Sequence, residues 1–417
     1  MQNGVTIIPE RPFEDGVTAG RELTGRELER RTRQALSDPL LCDDLGAMAD
    51  AQLTQWVMSR LETEPDYTEY PELQDVYPER RDRLRGLAHG AGCSLETAAK
   101  FDCVLYLHEI RRWTVAMNPP PRSGNCSGVL MLGPEGVIVG QSQESSFTPP
   151  QPSHYHYRPP APYAGLRQQP PQPAPAAIKR PGTGYVENWG TTNECGVGVI
   201  GAGSCGTWLD EPIEDVWPIK NFPLLRFARN VGELVSLYDR YKLFNWGRGS
   251  EIAADLAGGA VVIEHSYRRI GVRPLDGAHA MWATEGNFEQ DDMAAFIRAR
   301  RREYGRQQGL HLGADDFQYE ADCGVRFTHL GELAHQPWGR GLEHMRRLLT
   351  DHSPFPRNIC RHGGPDTDPY DRSVTQRSTI FDLTHNRMHV REWQPWEQFP
   401  CELAEQVTQY PPRPCDG

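Results

Sequence analysis

The chain has 417 residues, enough for one large domain or two ordinary ones with a sizeable buried core. Its 44 Lys and Arg against 56 Asp and Glu leave a formal charge of −12, which repels a phosphate backbone and an anionic lipid surface alike, so neither nucleic acid nor membrane is an expected partner. No apolar run reaches the roughly 18 residues of a membrane span. The start MQNGVTIIPERPFEDG has neither the charged nor the apolar region of a secretory signal, and a soluble, cytoplasmic protein is expected.

The first 125 residues read as a helical segment. GRELERRTRQALSD, DDLGAMADAQLTQWVMSRLE, PELQDVYPERRDRLRGLAHGAG and SLETAAKFDCVLYLHEIRRW carry apolar residues at helical spacing, with Ser94 placed to cap the last. Pro119, Pro120 and Pro121 in MNPPPRSGN end the block, because proline cannot continue a helix.

From Cys126 the period changes. Val129–Leu132 and Val137–Val139 are short, apolar and rich in β-branched residues, and Gly133-Pro134-Glu135-Gly136 between them predicts a hairpin. Their near-continuous apolarity predicts burial on both faces. Residues 147–181 are roughly one-third proline and predict an extended or irregular insertion between strands. A surface loop, an aromatic lid and a ligand for a proline-recognition module all fit it. His154 and His156 alternate within it, which is too little to define a metal site, and no metal or cofactor is expected.

Strand patterns return in CGVGVIGAG, GGAVVIEHS, RIGVRPL and AHAMWAT, with a helix around PLLRFARNVGELVSLYDRY. Helices are predicted at DDMAAFIRARRREYGRQQ and GLEHMRRLLTDH, and a last hairpin at STIFDLT and RMHVREW, joined through His385-Asn386. A sheet-rich α+β domain with helices covering the sheets is the natural architecture.

The ten cysteines run from Cys42 to Cys415 without a CxxC pair, which fits reduced thiols better than a disulfide scaffold. Each is by default a small core residue. Cys126 differs by position, standing after a proline-broken linker at the head of a strand. A thiol there can attack the preceding carbonyl and convert the Asn125–Cys126 amide to a thioester, which water opens to give a new N-terminus. The freed α-amine, with an unperturbed pKa of about 8, can then take the thiol's proton, so one residue supplies nucleophile and base.

The order of several elements resembles the penicillin acyltransferase family, that of acyl-CoA:isopenicillin N acyltransferase. The pieces are PELQDVYPERRDRLRGLAHGAGCSLETAAKFDCVLYLHEI, NCSGVLMLGPEGVIVGQSQE, TTNECGVGVIG, NICRHGG and STIFDLTHNRMHVREW, spread from about Pro71 to Pro400. The resemblance implies a four-layer αββα sandwich of the N-terminal nucleophile hydrolase type over residues 126–417, with the 147–181 insertion inside it. The helical segment 1–125 would be the leader, cut at Asn125–Cys126 and retained as the smaller half of a heterodimer.

It also implies site residues. Cys126 is the nucleophile, Arg361 in NICRHGG the cation of the pocket, and Glu144 stands where the family has an aspartate. The oxyanion-stabilising asparagine falls at Asn287 in TEGNFEQ, although strict register would put Gly286 there. An ordinary surface Arg–carboxylate pair is the competing reading of Glu144 and Arg361. Asn125 replaces the family's glycine before the nucleophile, and Glu144 adds a methylene.

The implied activity is hydrolysis or transfer of the acyl group of a small amide, an acylated amino acid or specialised metabolite, with acyl-CoA as a conceivable donor. Two readings compete with it. One is a non-catalytic scaffold that keeps the fold and binds a partner through the proline-rich insertion. The other is a papain-like protease, which lacks its CGSCW-type context here.

Overall fold

The structure is a computed structural model that describes residues 7–9, 12–38, 41, 45–63, 66–115, 126–146, 155–158, 165–167, 190–193, 195–202, 224–242, 249–265, 269–275, 277–284, 295, 299, 302–303, 306, 318–353, 358–362, 373–392, 400–402 and 404–409. After a short strand come helices α1 (Pro12–Arg21), α2 (Gly25–Leu36), α3 (Asp50–Glu62), α4 (Leu73–Ala91) and α5 (Leu95–Val115). Ser94 caps α5 as expected, its hydroxyl oxygen accepting from Thr97 N–H at 3.2 Å. Leu28, Leu53, Val57, Leu87, Phe101, Val104 and Leu107 pack these helices into their own buried cluster.

Helix α1 was not anticipated, because Gly16 and Gly20 disfavour a helix when taken alone. Their use is tertiary. A methyl on Gly16 would strike the Arg83 carbonyl and one on Gly20 the Leu87 carbonyl, while Gly86 and Gly90 of α4 face Phe13 and Val17 of α1 just as closely. Two glycine pairs, each four residues apart, let the two backbones touch.

Two sheets follow. The strands of the first are β1 (Ile7–Pro9), β4 (Tyr155–Arg158), β5 (Gly165–Arg167), β6 (Gly190–Asn193), β7 (Gly198–Gly201), β8 (Gly249–Ala254), β9 (Ala260–His265) and β10 (Ile270–Pro274), in that spatial order. Only β1 and β4 pair in parallel; the other neighbours are antiparallel. The second sheet has the order β11 (Ala280–Thr284), β2 (Cys126–Gly133), β3 (Gly136–Ser146), β12 (Ser373–Asp382), β13 (Arg387–Glu392) and β14 (Gln406–Gln409), all antiparallel.

The β2–β3 hairpin is longer than the apolar pattern predicts, because polar residues 141–146 continue the ladder. Part of the proline-rich insertion also enters a sheet, as β4 and β5; its other residues lie outside those described. The predicted helix near 223–241 is a short 3-10 turn, Leu224–Phe227, followed by α6 (Val231–Arg240), which starts where Asn230 accepts from Glu233 N–H. Of the predicted helix 291–308, only Ala295, Ala299, Arg302, Glu303 and Arg306 are described, and these are helical. Two further helices are α7 (Gln318–Ala334), absent from the sequence reading, and α8 (Leu342–Leu349), within the predicted segment.

Side-chain alternation sorts the burial. Leu130, Val137 and Val139 of the second sheet meet Ile200, Ile252 and Val262 of the first in one cluster. The opposite face of the second sheet, with Val129, Met131, Ile138 and Ile380, packs on Leu330 and Leu333 of α7 and on Met345, Leu348 and Leu349 of α8. Val199, Ala253, Val261 and Ile263 pack on α6 and on Leu73 and Tyr77 of α4, which anchors the helical segment to the first sheet. Among the described residues no helix is long and apolar enough to cross a membrane.

Candidate active site

Cys126 opens β2 and is fully buried. Its strand lies between β11 and β3, with Cys126 opposite Gln143 in the antiparallel register and Ser127 opposite both Ser142 and Thr284. Alternation puts Cys126 on the same side as Gly128 and Leu130, toward the first sheet, and Ser127 on the side of Val129 and Met131, toward α7.

Arg326 of α7 reaches this strand end. Its Nη1 donates to the Cys126 carbonyl oxygen at 3.2 Å and to Ser127 Oγ at 2.8 Å, and lies 3.9 Å from Glu144 Oε2. The guanidinium is fully buried. A buried cation is costly unless paired and hydrogen-bonded, and here the carboxylate and the strand end supply both.

Glu144 lies at 1% exposure near the far end of β3. Its Oε1 is in close contact with Ser142 Oγ and accepts from Thr375 Oγ1 at 3.2 Å, whereas its Oε2 has no hydrogen-bond partner among the described residues. Burial pushes its carboxyl up to about 7, against the pull of Arg326, the hydrogen bond with Ser142, Arg361 and the hydrogen bond from Thr375. Ser142 also donates to Ile359 O at 3.2 Å. A hydroxyl has one proton, so Ser142 shares it between the Glu144 carboxyl and the Ile359 carbonyl.

Arg361 is likewise fully buried. It is held by its main chain: its N–H donates to Thr375 Oγ1 at 2.8 Å, and its carbonyl accepts from Thr375 N–H at 2.9 Å. Because Thr375 Oγ1 accepts from Arg361, its own proton is directed to Glu144. A surface ion pair is thus ruled out for both Glu144 and Arg361.

Of the residues singled out from the sequence, the structure gathers Cys126, Glu144 and Arg361 around Arg326 and Thr375. Asn125 and Asn287 lie outside the described residues. Glu144 stands one residue beyond the position paired with Cys126, and alternation turns its side chain toward α7, away from the thiol's face.

The sequence reading missed two residues. Arg326 occupies the apolar stripe of α7 formed with Leu330, Leu333 and Ala334, at spacings i, i+4, i+7 and i+8. A charge on a core stripe is the signal that marks it. Gln143, 7% exposed and cross-strand from Cys126, has an Oε1 without a hydrogen-bond partner among the described residues. A buried polar atom in that state costs about 1–3 kcal/mol.

No family model matches the sequence, and no curated protein matches it. Among solved structures the chain is similar to penicillin V acylase from Agrobacterium tumefaciens, at 12% identity and a TM-score of 0.39 over 64% of this chain and 83% of that one. It is also similar to two variants of conjugated bile acid hydrolase from Clostridium perfringens. Both are 12% identical over 69% of this chain, with TM-scores of 0.39 and 0.40 over 97% and 98% of theirs. No activity follows from likeness at this level.

Proposed function

We propose that the chain is a self-processing cysteine enzyme of the N-terminal nucleophile type, built on an αββα sandwich, that hydrolyses or transfers the acyl group of a small amide. The observation that carries this reading is the buried constellation at the head of β2, where Arg326 grips the main chain of Cys126 beside Glu144, Thr375 and Arg361. An ordinary core cysteine needs none of these groups. Two cations and an acid brought to the start of one strand are costly to bury, and positioning for chemistry accounts for the cost.

In the first step Cys126 Sγ attacks the Asn125 carbonyl carbon, the amide C–N bond breaks, and the Cys126 nitrogen gains a proton. Water then cleaves the thioester, leaving the Asn125 carboxylate, the free thiol and a new α-amine. In turnover the amine takes the thiol's proton and returns it to the leaving amine of the substrate, while the acyl group stays on sulfur. Water releases it as an acid; an amine or amino acid accepts it as a new amide.

Arg326 positions the strand end, and Arg361 adds positive potential that favours thiolate and a developing oxyanion. Full burial of Cys126 suits a precursor whose thiol meets external amides only after the cut. Packing of Leu73 and Tyr77 into the core of the first sheet, with Glu72 N–H donating to Tyr241 Oη at 3.2 Å, supports two pieces that stay together.

The test is to incubate the protein with a panel of acyl amino acids and acyl-CoA donors, quench in acid, and map acyl adducts by peptide mass. The reading requires a thioester on Cys126 with at least one donor and none on the Cys126→Ala chain. Turnover that survives Cys126→Ala would refute it.

A further inference from the structure

A second cluster of reactive side chains lies next to this site and takes no part in the chemistry above. His352 follows α8, Cys360 and His362 flank Arg361, and Cys401 lies in a short 3-10 helix, Pro400–Glu402. One ligand atom from each of the four falls within 4.8 Å of every other. His362 Nε2 is 3.0 Å from Cys401 Sγ and 3.6 Å from Cys360 Sγ, and the His352 and His362 rings meet edge to face with centroids 4.6 Å apart. Cys360 is buried, while Cys401 and His362 are partly buried.

We propose that His352, Cys360, His362 and Cys401 form a tetrahedral structural site for a thiophilic divalent cation of the zinc type. With metal–sulfur bonds of about 2.3 Å and metal–nitrogen bonds of about 2.0–2.1 Å, the corners of such a tetrahedron are about 3.3–3.8 Å apart. The two His362–Cys separations lie close to that range and no separation exceeds 4.8 Å, so binding asks mainly for side-chain adjustment. Two thiolates neutralise a divalent ion, so closing the site adds no net charge to a half-buried region. Two thiols and two imidazoles match that metal's preferred donors, and four protein ligands leave no open position, which marks a structural centre. A disulfide between Cys360 and Cys401 would use the sulfurs and leave the two imidazoles without a purpose.

The surroundings are already ordered for it. Asp351 accepts from Ser353 N–H at 2.9 Å, contacts His329 Nε2 at 2.9 Å, and its carbonyl accepts from Cys360 N–H at 2.9 Å, which fixes the chain on both sides of His352. The ion would then join the segment carrying Arg361 to the 3-10 helix beside β12 and β13. Arg361, between two ligands, would be held at the distance from Glu144 that Thr375 now bridges.

The full-length chain, expressed without a histidine tag and purified under reducing conditions, is analysed for metal by mass spectrometry of the elements. The site predicts about one zinc per chain, with less than about half retained in Cys401→Ser and in His352→Ala. Cobalt substitution should give thiolate-to-metal charge-transfer absorption and tetrahedral ligand-field bands. Should the variants fail to fold, the wild-type chain still decides: stripping its metal with a chelator should expose two further thiols to alkylation. A wild-type chain that takes up no stoichiometric zinc or cobalt overturns the proposal. So does a Cys360–Cys401 disulfide persisting under reducing conditions.

Discussion

Arg326 Nη1 lies 3.2 Å from the main-chain oxygen of Cys126, although 200 residues separate the two in the chain. A helix on one face of the second sheet therefore fixes the first peptide of the strand whose side chain points to the other face. A displacement of about 1 Å can cost a reaction about 10²-fold, so the proposed chemistry would be sensitive to loss of that grip.

Replacing Arg326 by Lys keeps the charge but loses the planar guanidinium whose Nη1 donates to both the Cys126 carbonyl and Ser127 Oγ. We expect kcat to fall about 10²-fold with KM changed only a few-fold, and Arg326→Leu to fall further. Active sites are counted by stoichiometric alkylation of Cys126, so that kcat refers to competent molecules. If Arg326 only supported folding, the count would drop and kcat per competent site would not.

Glu144 should make stability depend on pH. Its carboxyl holds a proton up to about 7 in the folded chain but only to about 4.5 when unfolded. Between these values the native state binds more protons, so this contribution is fully present below about pH 4.5 and is lost as pH rises to about 7. Glu144→Gln removes the titration, and its stability relative to wild type should rise across that window by up to a few kcal/mol. Urea unfolding of both proteins at pH 5 and pH 8 reads this out. An unchanged difference would mean that Glu144 ionises normally.

Gln143 separates binding from folding. Leucine at this position removes a buried oxygen that has no hydrogen-bond partner among the described residues, so thermal stability should hold or increase. If the amide meets substrate or the freed α-amine, kcat/KM should fall by about tenfold. Equal losses of stability and activity would assign the side chain to packing.

The crossing of α1 and α4 gives a prediction remote from the chemistry. Gly86→Ala would place a methyl against the Phe13 carbonyl, where backbone has to move. Overpacking of this kind costs about 1–3 kcal/mol, measurable as a lower melting temperature. Activity per folded molecule should stay unchanged.

What could be read from the sequence follows from how local each signal is. The β2–β3 hairpin was legible because an apolar run, a Gly-Pro-Glu-Gly turn and a second apolar run lie side by side. Its polar extension to Ser146 was not, since Gln141, Gln143 and Glu144 are buried by neighbours from β12, α7 and the first sheet that are far away in the chain. Helix α7 escaped because Arg326 interrupts its apolar stripe, and the same residue turned out to hold the main chain of Cys126. Strand β8, GSEIAA, has little β-branched content and is a strand because β7 and β9 flank it. Glu144 and Arg361 were named through resemblance, but their burial and their link through Thr375 are properties of the folded chain. The four-residue His/Cys cluster spans residues 352 to 401 without any of the short Cys spacings that announce a metal site.

The central claim is that Cys126 acts on the bond before it. The most direct test is the intact mass of freshly expressed protein, alongside Cys126→Ala. The account predicts two fragments meeting at Asn125/Cys126, with Cys126 as a free N-terminus, and a single uncut Cys126→Ala chain. A wild-type chain that stays full length for days and whose Cys126 remains unmodified by thiol-reactive amide probes would contradict it.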